Sequence, residues 1–220
     1  MIIPRHAPST LVSFLALAIL SGACASTDNQ GAAAGSDITK AADEIKIGLG
    51  QLDATLLSLN TLVNEPPADL EAQYKVFTKN LDQLESTAKR VREATESMEA
   101  RGQAYFADWD TQIAAIQNED LRSRSAERRE AVEASFSEIR EDYRSAQEEF
   151  QPLMNDLRDI RTALGADLTM DGLDAVKKTT KHANESAEDV KETLEELSAG
   201  FRKLGVSLSN AGPAPQPTQQ

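Results

Sequence analysis

From Leu70 to Ile116 the hydrophobic residues recur at alternating steps of three and four, with no proline among them. The series runs Leu70, Tyr74, Phe77, Leu81, Leu84, Ala88, Val91, Thr95, Met98, Gly102, Tyr105, Trp109 and, one step late, Ile113 and Ile116. Such spacing lays a narrow apolar seam along one side of a helix. About fifty helical residues make a rod of roughly 70–75 Å at 1.5 Å per residue, too long to sit inside a compact globule. The rod must therefore lie along a partner of similar length.

The next segment supplies one. Its seam passes through Leu121, Ser125, Arg128, Val132, Phe136, Ile139, Tyr143, Ala146, Phe150, Leu153, Leu157, Ile160 and Leu164. Asn118-Glu119-Asp120 between the two is a short polar break with a good N-cap residue, as the tip of an αα-hairpin requires. Two flanking stretches carry the same period: Ile38, Ile45, Leu49, Leu52, Leu56, Leu59 and Val63 before it, and Leu173, Val176, Thr180, Ala183, Ala187, Val190, Leu194, Leu197, Phe201 and Leu204 after it.

Local signals set the expected bounds at residues 37–64, 68–117, 119–164 and 171–204. Ser36 is read as the first N-cap, Pro66-Pro67 as the stop of the first helix, Gly165 as a C-terminal cap and Asp171 as the last N-cap. Pro152 is expected to kink the third helix. The fold class that follows is all-α: an elongated antiparallel helical bundle or coiled coil over residues 36–205. Its long central αα-hairpin is covered, at the end away from Asn118, by two shorter helices. Residues 24–35, rich in small residues, read as a flexible linker, and 206–220, rich in proline and glutamine, as a disordered tail.

Composition excludes several roles. The net charge is −13, and such a surface repels phosphate, so nucleic acid and broad adhesion to anionic lipid are disfavoured. His182 is the one histidine beyond the amino-terminal segment and flanks a seam. The adjacent carboxylates, among them Asp108 and Asp110, Glu119 and Asp120, and Glu148 and Glu149, read as solvated faces. Side chains that do not stand three or four apart do not share a ligand readily on a helix. Asp167 to Gly172 imitates the opening of a calcium-binding loop, but Lys178 stands where the bidentate glutamate belongs. No catalytic residue, cofactor or metal site is expected, and the chain is read as a non-enzyme.

Residues 1–23 form an export leader. Arg5 and His6 precede an apolar run from Leu11 to Leu20, and Ser21-Gly22-Ala23 leads to Cys24, the sole cysteine. That run is about half the length a membrane span needs. Cys24 is the expected site of lipidation, giving a protein anchored to a bacterial membrane and facing the periplasm, with the outer membrane favoured. The competing reading is ordinary secretory cleavage after Ala25, which leaves Ser26 first.

Tyr105-Phe106-Ala107-Asp108-Trp109 gathers aromatic rings shortly before the hairpin tip. Tyr105 and Trp109 follow the seam and Phe106 falls beside it. The set reads either as an apolar plug where the hairpin narrows or as a partner-binding patch comprising Tyr105, Phe106 and Trp109.

Phe106-x-x-Trp109, Ile116-x-Asn118-x-x-Leu121-Arg122 and Ser125, then Tyr143, Pro152-Leu153, Leu164 and Leu168, resemble a family of bacterial exported coiled-coil lipoproteins classed as a domain of unknown function. The likeness spans roughly residues 70–205 and departs in the loop after the third helix. It implies the class and compartment and carries over no activity. The expected role is a helical scaffold or adaptor for other envelope proteins. The alternative is a soluble periplasmic chaperone or binding module that clasps apolar clients, and self-association is left open.

Overall fold

The computed structural model describes residues 24–209, with side-chain surroundings for residue 33 and for residues 35–208. Every long segment is a helix: α1 (Cys24–Asn64), α2 (Leu70–Ala115), α3 (Glu119–Ala166) and α4 (Met170–Ser209). There is no strand among the described residues. At 41, 46, 48 and 40 residues, they are rods of roughly 60–70 Å, the first and last being the shorter pair.

All neighbours run antiparallel. α1 lies between α2 and α4, α3 lies beside α4, and the contact of α2 with α3 is the least extensive of the four. The register is visible in cross-helix pairs: Arg101–Asp37 at 2.7 Å and Arg90–Glu44 at 2.9 Å join α2 to α1. Arg202–Asp43 at 2.7 Å and Lys191–Asp53 at 2.8 Å join α4 to α1. Arg158–Glu85 at 2.7 Å, Arg140–Glu99 at 3.1 Å and Arg129–Asp110 at 2.8 Å join α3 to α2. These are mostly exposed pairs, worth well under about 1 kcal/mol each; they mark the register more than they stabilise it.

The seams supply the stability. Leu52, Leu59, Leu62, Phe77, Leu81, Leu153, Leu157 and Leu164 are fully buried in one cluster, on the side of the loop through Pro66 and Pro67. Ile38, Ile45, Met98, Phe136, Ile139, Leu197 and Phe201 form a second cluster nearer Asn118. Leu194 packs against both. Gly205 of α4 lies against Thr39 and the Gly35 carbonyl, close to where α4 ends, whereas α2 and α3 run on to Asn118. That difference gives the hairpin its projecting arm, while the backbone of α1 continues to Cys24.

Several local expectations are corrected. α1 begins at Cys24, so the stretch expected as a linker is helical and Ser36 lies inside the helix. Alanines 32–34 favour that state, and Thr39 donates to the Gly35 carbonyl at 2.9 Å across the proposed start. α2 begins at Leu70, two residues later than expected, capped by Asp69, whose carboxylate accepts from the Ala72 amide at 2.9 Å. Gly165 is not a cap, because α3 runs to Ala166 and ends on Asp167. Its glycine serves space instead: an added Cβ would lie 2.8 Å from the Tyr74 hydroxyl, which donates to the Arg161 carbonyl at 2.9 Å.

Asp171 sits in the first turn of α4, while the Gly172 amide donates to the Thr169 hydroxyl at 3.3 Å. The carboxylate of Asp171 there favours the positive end of the helix dipole. At the other end α4 continues through residues 206–209, where Leu208 is buried, so this part of the expected tail is helical. Asn118 caps α3 as expected, accepting from the Leu121 amide at 3.1 Å. α3 passes unbroken through Pro152, which is exposed, so the carbonyl it frees faces water. The leader 1–23 and residues 210–220 lie outside the described residues.

One polar pair fixes α1 against α4. Asn60 donates to the Asn184 carboxamide oxygen at 2.7 Å and accepts from the Asn184 amide at 2.9 Å. Asn184→Ala should cost about 1 kcal/mol in a urea melt, since it leaves the half-buried Asn60 amide without its acceptor and its oxygen with only the bond from Asn64. Replacing both asparagines by leucine should recover that loss; a double variant no more stable than the single one would show that the pair has no shared contribution.

Candidate functional site

The aromatic group before the tip is assembled from α2 and α3. Tyr105 and Phe106 meet edge to face with centroids 5.5 Å apart, Tyr105 lies 5.4 Å from Trp109, and Phe106 lies 5.6 Å from Phe136 across the hairpin. Gly102 makes room for this, because an ideal Cβ there would stand 2.5 Å from Phe136 Cε2. The Arg129 guanidinium sits 5.3 Å above the Phe106 ring while bonded to Asp110 at 2.8 Å and to Glu133. Burial works against its charge, but those carboxylates outweigh the burial and raise its pKa. The Trp109 indole N–H donates to the Ser125 hydroxyl at 3.3 Å, which accounts for a polar residue in the seam of α3.

This arrangement decides what the rings can do. Tyr105 and Phe106 are 3% and 6% exposed, and Trp109 is half-buried. Burial also pushes the Tyr105 phenol up, against the pull of Arg128. Rings this engaged with one another close the hairpin, and only the Trp109 edge is open to a partner. Beyond them Ile113 and Ile116 are half-buried, and Leu121 is 57% exposed at the tip itself.

Cys24 opens α1. Because the helices alternate in direction, the start of α1 falls at the same end of the bundle as the hairpin tip. His182 is exposed on α4, its Nδ1 2.6 Å from the Asp156 carboxylate. Among the described residues no group of three or more His, Cys, Asp or Glu side chains is placed to hold a metal ion. No described helix is long and apolar enough to cross a membrane.

A second feature was not anticipated from the sequence. Between α2 and α3, where the two apolar clusters meet, lies an opening of about 260 Å³ lined by Gly48, Ala88 and Ala146 among larger residues. Small residues at matching levels of three helices are its signature, and they are recognisable only once the register is known.

The model of DUF2959, a protein family of unknown function, matches residues 35–204, nearly the whole of the bundle. Comparisons with curated proteins and with solved structures give no match.

Proposed function

We propose that this chain, which belongs to the DUF2959 family of proteins of unknown function, is a non-enzymatic helical scaffold of the bacterial envelope, tethered by a lipid on Cys24. The observation that carries this reading is the placement of Cys24 at the first turn of α1, at the end of the bundle shared with the hairpin tip. A tether there stands the rod on its thin end. The thick end, with the loops at 65–69 and 167–169, is then held about 60 Å away along α1, displaying helical faces and their solvated charges to other envelope proteins. The half-buried and exposed Ile113, Ile116 and Leu121 lie beside the anchor on the same reading.

The sequence Ser21-Gly22-Ala23-Cys24 supports the tether, since small residues before a lone cysteine suit a lipoprotein signal peptidase. The test is fractionation of cells expressing the whole chain beside its Cys24→Ser variant. The unaltered protein should sediment with membranes and carry an acyl mass increment on Cys24, and the variant should move to the soluble fraction or keep its leader. An exported form beginning at Ser26 with no acyl mass would end the tether reading.

A further inference from the structure

α1 carries apolar residues on two sides. Leu52, Leu59 and Leu62 face the core and are fully buried. Ile47, Gly50, Ala54, Leu57 and Thr61 recur on the opposite side at steps of three, four, three and four, the spacing of a second seam. Leu57 there is 70% exposed and Ile47 47%. Across residues 47–64 Asp53 is the only charged residue, in a chain of which 27% is charged. A helix that is apolar all round is one that is covered all round, and among the described residues nothing covers Leu57. Gly50 points the same way. The glycines at 102, 165, 172, 200 and 205 each make room for a neighbour, whereas a Cβ on Gly50 would meet nothing within 4 Å. A mid-helix glycine costs up to about 1 kcal/mol against alanine, and here its smallness serves no contact within the chain. It suits the close approach of a second backbone from outside.

The order of the stripe names the partner. Ile47, Gly50, Ala54 and Leu57 read large, small, small, large in either direction at the same spacing, so the stripe is its own complement when turned end for end. We propose that the outer side of α1 pairs with the same side of a second copy of this chain, antiparallel about a two-fold axis at the level of Leu52. Ile47 of each copy then packs on Leu57 of the other, and Gly50 meets Ala54 where the helices come closest. The charges agree with this pairing. Glu44 is held by Arg90 at 2.9 Å and Asp43 by Arg202 at 2.7 Å within their own copy. Asp53 and Glu188 share Lys191, at 2.8 and 3.2 Å, so two acids share one base on the flank where α4 borders the stripe. The exposed Lys46 of a second copy comes level with residue 58, beside that flank, and brings the opposite sign. On the other flank α2 offers the uncharged Val76, Asn80 and Gln83, Asn80 donating to the Ala54 carbonyl at 3.1 Å. The stripe is about 21 Å long and roughly 10–12 Å wide. With its flanks it buries on the order of 1,000 Å² in total, the low end for specific interfaces, and the dimer is accordingly a weak one.

The test is sedimentation velocity of the whole chain at rising concentration, where monomer should give way to dimer with a Kd in the micromolar to millimolar range. Leu57→Glu, an exposed change that leaves folding alone, should weaken the dimer at least ten-fold, while Val206→Glu, a comparably exposed site on α4, should leave it unchanged. Gly50→Gln should weaken it to a similar degree without lowering the melting temperature, because glutamine is the better helix former. With Cys24 replaced by serine, Gln51→Cys should oxidise to a linked dimer, since it stands beside the axis. Lys40→Cys should not, its two copies lying about 36 Å apart along the antiparallel helices. The proposal is overturned by a chain that stays monomeric, by a dimer indifferent to Leu57→Glu and Gly50→Gln, or by linkage through Lys40→Cys. It is equally overturned if a photo-crosslinker at position 57 joins the chain in cells only to a different protein.

Discussion

Phe201→Ala should remove about 3–5 kcal/mol of stability, the range for deleting a fully buried phenylalanine, and the loss should be confined to one half of the bundle. Phe201 is wholly buried within the cluster nearer the tip. Phe77, equally buried, belongs to the cluster at the loop end. Between them the core is interrupted by the opening that Gly48, Ala88 and Ala146 create, and Leu194 packs against both sides. A domain of this kind has about 5–15 kcal/mol to lose in all, so either substitution takes a large share of it. If the clusters are separable cooperative units, native-state hydrogen exchange of Phe201→Ala will show amides near Met98 and Ile139 opening while those near Leu59 and Leu157 keep their protection. Phe77→Ala will show the reverse. Equal loss of protection along all four helices in both variants would mean that the interruption does not divide the cooperativity.

The heptad seams were readable because a rod has little choice about which stripe to bury. Leu52, Leu56, Leu59, Leu81, Leu84, Leu157 and Leu164 fall on the predicted face and are buried there. The turn signals that held were those made by neighbours in sequence: Pro66-Pro67 ahead of α2, and Asn118 at the start of α3. Two of those that failed depended on residues distant in the chain. Gly165 looks like a cap until Tyr74 is seen to cross it, and the start of α1 is extended where Gly35 meets Gly205.

Phe106 falls beside the seam, yet it is buried. A helix of 3.6 residues per turn drifts from a strict seven-residue repeat, so by the end of α2 the face turned toward α3 has rotated onto it, opposite Phe136. The opening between α2 and α3 was illegible for a related reason. Ala88 and Ala146 each occupy an ordinary seam position, and only the register of four helices brings them to one level with Gly48. The patch of Tyr105, Phe106 and Trp109 was readable as a cluster, but whether it faces outward or inward depended on Gly102, which in a list of seam positions is merely a weak member.

Gly102→Leu tests that dependence, and its effect should be the second largest. Two terms oppose each other. Any residue in place of glycine gains up to about 1 kcal/mol of helix propensity, whereas overpacking a filled site costs about 1–3 kcal/mol. The second should win, because the Cβ alone already meets Phe136 at Cε2. That ring has little room to retreat with Phe106 at 5.6 Å on its edge and Arg129 above Phe106. The ring displacement should pass through Phe106 and Tyr105 to Trp109, which will lose its bond to Ser125 and become more exposed. Since Trp109 is the single tryptophan of the chain, its fluorescence reports the arm alone, and a red-shifted emission with retained helical circular dichroism is the expected signature. Gly102→Ala grades the same competition: it adds the propensity with the least bulk, so it should fall between the parent and Gly102→Leu. Emission and stability of Gly102→Leu equal to the parent would mean that Phe136 swings aside freely and that the rings do not hold the hairpin closed.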